Sequence, residues 1–241
     1  MGTYTGTIDD DTFNGLETND TMTGAYGNDK LNGNGGIDNI RGDAGNDTIS
    51  GGAGNDRLYG GDGNDVIRGG TGDDYITGEG EPDTLYGDAG NDFIQGGRDT
   101  DTLYGGAGDD QLFGEASTDI LDGGTGNDQL SGGTGNDTFI FKSGYGADTI
   151  NDDLTATGAT GGGGGSSDVI DIGYKFADIE FVKDGNDLWI TTKSDYADGS
   201  MTEGVIVQNY YLDGNNEIEL LHTSDSGATY YYIDQYADAL M

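Results

Sequence analysis

The sequence predicts an all-β fold: a flattened, right-handed parallel β-solenoid closed by a C-terminal, mostly-β cap. Three observations predict it. From Gly6 to Ile140 one nine-residue phrase repeats fifteen times without insertion or deletion. Every copy has Gly at position one, Asp at position six and an apolar residue at position eight. From Asp168 the repeat is gone and short apolar runs replace it. A fixed short period outranks local propensity, because each repeat is one structural unit stacked on the next.

Position eight supplies the core. It is Phe13, Met22, Leu31, Ile40, Ile49, Leu58, Ile67, Ile76, Leu85, Ile94, Leu103, Leu112, Leu121, Leu130 and Phe139. One apolar residue in nine builds no core alone, but stacked copies form continuous columns. The glycines allow positive φ and close approach of backbone to backbone. Positions one to six therefore read as turn, and seven to nine as a very short strand with one inward side chain. Two copies make one coil, so fifteen copies make seven and a half. At about 4.8 Å per rung the stack is roughly 36 Å long.

Position six is Asp in all fifteen copies, from Asp11 to Asp137. In the solenoid these acids stack on the two edges, and like charges at strand spacing repel. Such a column is stable only with positive charge between the carboxylates. Turn chemistry alone would accept Asn or Ser there, yet no copy uses them. Ca²⁺ fits, because it takes six to eight hard oxygens and Gly-rich turns offer backbone carbonyls. Each ion would sit between turns eighteen residues apart. One edge uses Asp29, Asp47, Asp65 and onward. The other uses Asp38, Asp56, Asp74, Asp92, Asp110 and Asp128.

The phrase Gly-Gly-x-Gly-Asn-Asp-x-apolar-x, as in Gly51 to Tyr59 and Gly60 to Arg68, resembles the nonapeptide of RTX (repeats-in-toxin) proteins. The resemblance implies a calcium-filled parallel β-roll in a protein exported by bacterial type I secretion. It also implies the ligands: position-six carboxylates and carbonyls of the Gly-rich turn. Carried over, these are Asp29, Asp38, Asp47, Asp56, Asp65, Asp74, Asp92, Asp110, Asp128 and Asp137. The turn glycines are Gly36, Gly45, Gly54, Gly63, Gly72, Gly90, Gly108, Gly126 and Gly135.

Position four is Gly in ten copies; the exceptions are Asp9, Thr18, Glu81, Asp99 and Ser117. The last three stack on one edge, beside Asp83, Asp101 and Asp119. A Cβ and a changed turn shape should remove carbonyl ligands there, with Arg98 supplying positive charge instead. That stretch is expected to lack calcium while the opposite edge is filled. The first two copies read as fraying end coils.

Composition sets the conditions. Formal charge is −37, from 46 acids against nine Lys and Arg, and apolar residues are 32% of the 241. Low hydrophobicity with high charge describes a disordered chain, so folding is expected to need cations, with ion binding supplying folding free energy. The acidity excludes nucleic acid, which needs a basic face, and binding to anionic membranes. Cys is absent, so disulfides and thiol chemistry are excluded. No run of about eighteen apolar residues occurs, and residues 1–10 lack the pattern of a Sec signal peptide. Because the repeats start almost at Met1, a larger protein is expected upstream.

The expected domains are a roll over 1–140 and a capping region over 141–241. Phe139, Ile140 and Phe141 read as the last rung against the cap, and Ser143 to Asp153 as a further turn and strand. Thr155 to Ser167, with five consecutive glycines, reads as a linker. Strands are expected at Val169–Ile172, around Ile179 and Phe181, at Leu188–Ile190 after a hairpin turn, at Gly204–Tyr211 and at Glu217–Leu221. Ile233, Tyr236 and Leu240 have helical spacing within Tyr230–Met241. Gly144 to Ile150, Gly185 to Leu188 and Val207 to Tyr211 are similar to the segment after the last repeats of large RTX toxins and adhesins. That likeness implies a cap leading into an uncleaved C-terminal secretion signal, which leaves the cell first, meets calcium first and seeds folding of the roll.

Enzymatic motifs are missing. With His222 as the one His, a two-His zinc motif is impossible, and no Gly-x-Ser-x-Gly elbow occurs. Paired acids are too common here to indicate glycosidase chemistry. Trp189 and Tyr230 to Tyr232 read as cap residues rather than sugar platforms, and no Thr-x-Thr column of an ice-binding face is sustained. The chain is therefore read as no enzyme, monomeric and extracellular or on the cell surface. Its partners are calcium and the type I secretion apparatus, and it forms part of a larger adhesin or toxin. The alternative is a carrier module of a secreted polysaccharide-acting enzyme, with glycan or mineral binding by the roll as a third reading.

Overall fold

The structure is a computed structural model that describes residues 1–151, 168–175, 178–184, 186–198, 202–208, 218–223 and 230–232. The repeat region forms sixteen strands. They are β1 (Thr3–Thr5), β2 (Thr12–Asn14), β3 (Thr21–Tyr26), β4 (Lys30–Gly35), β5 (Asn39–Ala44), β6 (Thr48–Ala53), β7 (Arg57–Asp62) and β8 (Val66–Thr71). They continue as β9 (Tyr75–Gly80), β10 (Thr84–Ala89), β11 (Phe93–Gly97), β12 (Thr102–Ala107), β13 (Gln111–Ala116), β14 (Ile120–Thr125), β15 (Gln129–Thr134) and β16 (Thr138–Phe141). Odd strands stack in one sheet and even strands in the other. Neighbours pair in parallel with partners eighteen residues apart, as in Leu85↔Leu103 and Ile76↔Ile94. Two copies per coil and a parallel β-roll are what the repeat predicts.

The strands are longer than expected. Most run six residues, over positions seven to nine and then one to three of the next copy. The turn proper is confined to positions four to six. Positions two and four take positive φ in every copy from Ala25 and Gly27 onward. Position two therefore bends the strand without ending it, and position four makes the corner. Where position two is Ala25, Asn34, Asp43, Glu79, Asp88 or Glu115, a non-Gly residue occupies this left-handed conformation.

Position one has a different reason to be Gly. Its φ is not positive. Instead, a Cβ on Gly24, Gly42, Gly60 or Gly87 would overlap Oδ2 of the Asp five residues on. Invariant Gly and invariant Asp are two halves of one packing requirement.

The apolar columns form as expected. Position-eight residues from Met22 to Phe139 are buried, and Phe13 packs on the open end. The columns do not stop at residue 140. β17 (Ala147–Ile150) pairs with β15, setting Leu130↔Ile150. β18 (Asp168–Ile172) pairs with β16, setting Phe139↔Ile170. Phe141 is buried, with the rings of Tyr145 and Tyr174 about it at 6.0 and 6.1 Å.

The cap grows from both sheets. β19 (Ile179–Asp184) and β20 (Asp187–Thr192) form the expected hairpin, with Asp184↔Asp187 at its end. A six-residue helix, α1 (Lys193–Asp198), follows. β21 (Gly204–Val207) pairs antiparallel with β20 and parallel with β17. β22 (Ile218–Thr223) continues the second sheet beside β18 and pairs antiparallel with β23 (Tyr230–Tyr232). Tyr230–Tyr232 is thus strand, and 233–241, where helical spacing was read, lies outside the described residues. So does the linker expected over Thr155–Ser167.

One prediction concerns the columns. Leu103 is fully buried between Leu85 and Leu121. Leu103→Ala should lower unfolding free energy by roughly 2–5 kcal/mol, measured by denaturant titration of the calcium-loaded protein.

Candidate metal centre

Two columns of carboxylates line the edges of the roll. One contains Asp29, Asp47, Asp65, Asp83, Asp101, Asp119 and Asp137; the other Asp38, Asp56, Asp74, Asp92, Asp110 and Asp128. All are buried. The geometry repeats at every rung. Each Oδ1 accepts the backbone N–H of the position-six Asp one coil earlier, as from Asp29 to Asp47 and from Asp38 to Asp56, both 2.7 Å. Each Oδ2 from Asp29 to Asp128 accepts no hydrogen bond. The space left by the missing Cβ of Gly24 is bounded by Asp29 Oδ2 and the carbonyl oxygen of Gly42, and the same pair recurs along both edges.

Position five runs a second ladder in the opposite direction. Asn46 Oδ1 accepts the N–H of Asn64 at 3.0 Å, and Asn28 Oδ1 that of Asn46 at 2.7 Å. Position four closes a third: Gly27 N–H donates to Ala44 O at 3.0 Å, and Gly45 N–H to Asp62 O at 2.8 Å.

Burial without a cation is electrostatically costly, and the carboxyls register it. Burial, opposed by the amide hydrogen bond and reinforced by neighbouring acids, raises Asp47 and Asp56 to about 6 and Asp65 and Asp74 to about 7. Asp83, Asp110 and Asp119 reach about 8 for the same reason. A buried oxygen set of carboxylates and carbonyls, held by backbone, is the donor chemistry of a hard divalent cation. No three His, Cys, Asp or Glu side chains converge among the described residues. Each rung offers one carboxylate, so backbone carbonyls must complete any shell.

The three exceptional turns differ in a specific way. Glu81, Asp99 and Ser117 keep positive φ, at 65°, 63° and 92°, so the corner is not abandoned. The position-four glycines from Gly27 to Gly135 lie at 109–151°. Gly63 N–H donates to Glu81 Oε2 at 3.1 Å instead of to the next strand. Arg98 N–H keeps the ordinary position-three bond, to Glu79 O at 3.1 Å, and Ser117 N–H keeps the position-four bond, to Thr134 O at 2.7 Å, while β11 is one residue short. Position five there is Pro82, Thr100 and Thr118, none of which has the side-chain Oδ1 of Asn or Asp that continues the ladder elsewhere. Asp83, Asp101 and Asp119 themselves remain buried in line, with Oδ2 unbonded. At the open end, Asp11 and Asp20 differ: their Oδ2 atoms accept Thr7 and Leu16 N–H at 2.6 and 2.7 Å.

Two acids in the columns lie outside the repeats. Asp148 Oδ1 accepts Asp128 N–H at 3.1 Å, and Asp168 Oδ1 accepts Asp137 N–H at 2.7 Å. Their signal was in the sequence: Asp148-Thr149-Ile150 and Asp168-Val169-Ile170 repeat the Asp-x-apolar of positions six to eight.

A parallel solenoid with stacked, backbone-anchored carboxylates along its edges defines a cation-binding repeat module. The RTX calcium-binding nonapeptide repeat family matches residues 5–40, 32–67, 51–85, 59–94, 77–112, 104–139 and 113–147. The chain belongs to that family. No curated protein matches it. Among solved structures it is similar to the extracellular lipase LipA from Serratia marcescens, with 17% identity and a TM-score of 0.36 over 90% of this chain. The chain spans 40% of the lipase's length.

The raised carboxyls predict a pH dependence. A carboxyl raised above its ordinary 3.8 means that the metal-free roll takes up protons on folding. Its stability is greatest below pH 4 and is lost as pH rises through 6 to 8. Circular dichroism in chelator should therefore show more β signal at pH 5 than at pH 8. The calcium midpoint should fall over pH 6 to 8, because the ion displaces these protons.

Proposed function

We propose that this chain is a calcium-dependent folding module. Ions seat between turns eighteen residues apart, held by the position-six carboxylates Asp29, Asp38, Asp47, Asp56, Asp65, Asp74, Asp92, Asp110, Asp128 and Asp137. The carbonyls of the Gly-rich turns complete the shell. One observation carries this reading: two columns of buried carboxylates in which Oδ1 is fixed by a backbone N–H and Oδ2, from Asp29 to Asp128, accepts nothing. Bound calcium supplies positive charge to a stack that otherwise repels itself. The residues do the rest. Position one leaves room for the carboxylate, position four turns the corner, and position five ties adjacent turns together.

The module serves a larger exported protein, an adhesin or toxin, in which the C-terminal region carries the type I secretion signal. Inside the cell calcium is scarce and the chain stays unfolded and transportable. Outside, calcium drives folding and prevents back-sliding. Among the described residues no helix is long and apolar enough to cross a membrane. Glycan binding by the roll surface is disfavoured. Tyr75 and Phe93 stack at 5.3 Å and 5°, and Tyr86 and Tyr104 at 4.9 Å and 9°. Rings so stacked cover the faces that a sugar would need.

Calcium is absent between Asp83, Asp101 and Asp119 in this reading, because the position-five ladder that ties the other turns together is broken there at Pro82, Thr100 and Thr118. Well-occupied ions at those rungs in a calcium-loaded crystal would overturn that part alone.

Far-UV circular dichroism during a calcium titration, with magnesium as control, tests the whole. A cooperative gain of β signal at roughly 10⁻⁴–10⁻³ M calcium is expected, with none in magnesium. A chain fully folded in chelator at pH 8 would overturn the export mechanism. Removing residues 168–241 uncovers Phe139 and the end of the roll, and should raise the calcium midpoint; an unchanged midpoint would deny the cap its seeding role.

A further inference from the structure

The family match ends at residue 147, one residue before Asp148, but the architecture of the turn does not end there. Residues 145–148 rebuild positions three to six behind a two-residue insertion, so partners are twenty apart instead of eighteen. Each element of the turn is present. Gly126 N–H donates to Tyr145 O at 2.6 Å, the bond that position four makes to position three of the next coil. Gly146 takes φ 110°, and a Cβ on it would overlap Gly126 O, as at the position-four glycines below it. Asn127 Oδ1 accepts Ala147 N–H at 3.1 Å, continuing the position-five ladder. Asp128 N–H donates to Asp148 Oδ1, while Asp148 Oδ2 is buried and accepts nothing. In the next rung Val205 stands opposite Asp148. Asp148 is thus the terminal carboxylate of its column.

We infer that Asp148 is a calcium ligand outside the repeats, and that the ion it shares with the Gly126–Asp128 turn locks the cap onto the roll. The inference rests on the calcium reading above and deepens it. The location gives that ion a distinct role. β17 carries Asp148 and is the strand through which the roll sheet passes to β21 and the antiparallel β20 and β19. An ion there joins the last repeat turn to the strand that templates the cap. On the other edge Asp168 takes the Asp137 N–H, and the described residues resume only at Asp168 itself.

Asp148→Asn separates a ligand from a packing residue. The amide oxygen can still accept Asp128 N–H, while the negative charge is lost. Native mass spectrometry at saturating calcium should count one ion fewer than in wild type. Hydrogen exchange during a calcium titration should show protection of β20 and β21 shifted to several-fold higher calcium, with β3 to β9 unchanged. In chelator the variant should be as protected as wild type or more so, because a buried charge has been removed. Asp56→Asn, in mid-roll, should also lose one ion without selectively exposing β20 and β21.

An Asp148→Asn protein that retains the full ion count overturns the inference and leaves the calcium reading of the roll standing. If the variant does not fold, wild type decides. β21 protection that is the same in chelator and in calcium overturns the lock, and protection that rises with that of β15 supports it. A wild-type chain that binds no calcium defeats both readings, and its own ion count shows this before any variant is compared.

Discussion

Everything in this protein depends on stacking one carboxylate per rung on each edge. At about 4.8 Å, two like charges repel by about 3.5 kcal/mol at an effective dielectric of 20. A column of seven such acids accumulates repulsion on the scale of a whole domain's net stability, about 5–15 kcal/mol. The stack therefore exists only where protons or cations intervene. The backbone deepens the commitment. Each Oδ1 is held by an N–H from the previous coil, which fixes the carboxylate in a buried position that it cannot leave to reach water.

The glycines are consequences of that constraint. Position one is Gly because the carboxylate occupies the volume of its side chain. Positions two and four adopt positive φ so that the chain can turn toward the column and away again. The resulting strand extends through the glycines, and six residues pair where three would have left the sheets too narrow to hold an apolar column. Carboxylate column and core are in this sense one structure: the same nine residues place Leu103 inside and Asp101 on the edge.

The cap obeys the same logic without the repeat. Ile150, Ile170, Val207 and Leu221 extend the apolar columns, and Asp148 and Asp168 extend the acidic ones. The roll is sealed by strands that enter in parallel and then turn antiparallel, where Val205 and Ile218 stand in place of further acids. A folding signal from the cap can reach the roll through one continuous pair of sheets.

The period of nine was enough, read from sequence alone, to establish the parallel roll, the two-copy coil, the inward position eight and the acid on each edge. These follow from a strict repeat, because every copy must solve the same packing problem in the same way. Strand length escaped that reading, since glycine pairs as readily as it turns and its letters do not say which. The irregular edge was visible at Glu81, Asp99 and Ser117. That the corner is kept at all three, with the position-four bond diverted to the Glu81 side chain but retained at Ser117, was decided only in three dimensions. Asp148 and Asp168 joined the columns only in the folded chain. Insertions of two and thirteen residues hide them from a period of eighteen, whereas rung stacking depends on which backbone N–H lies below, not on distance along the sequence.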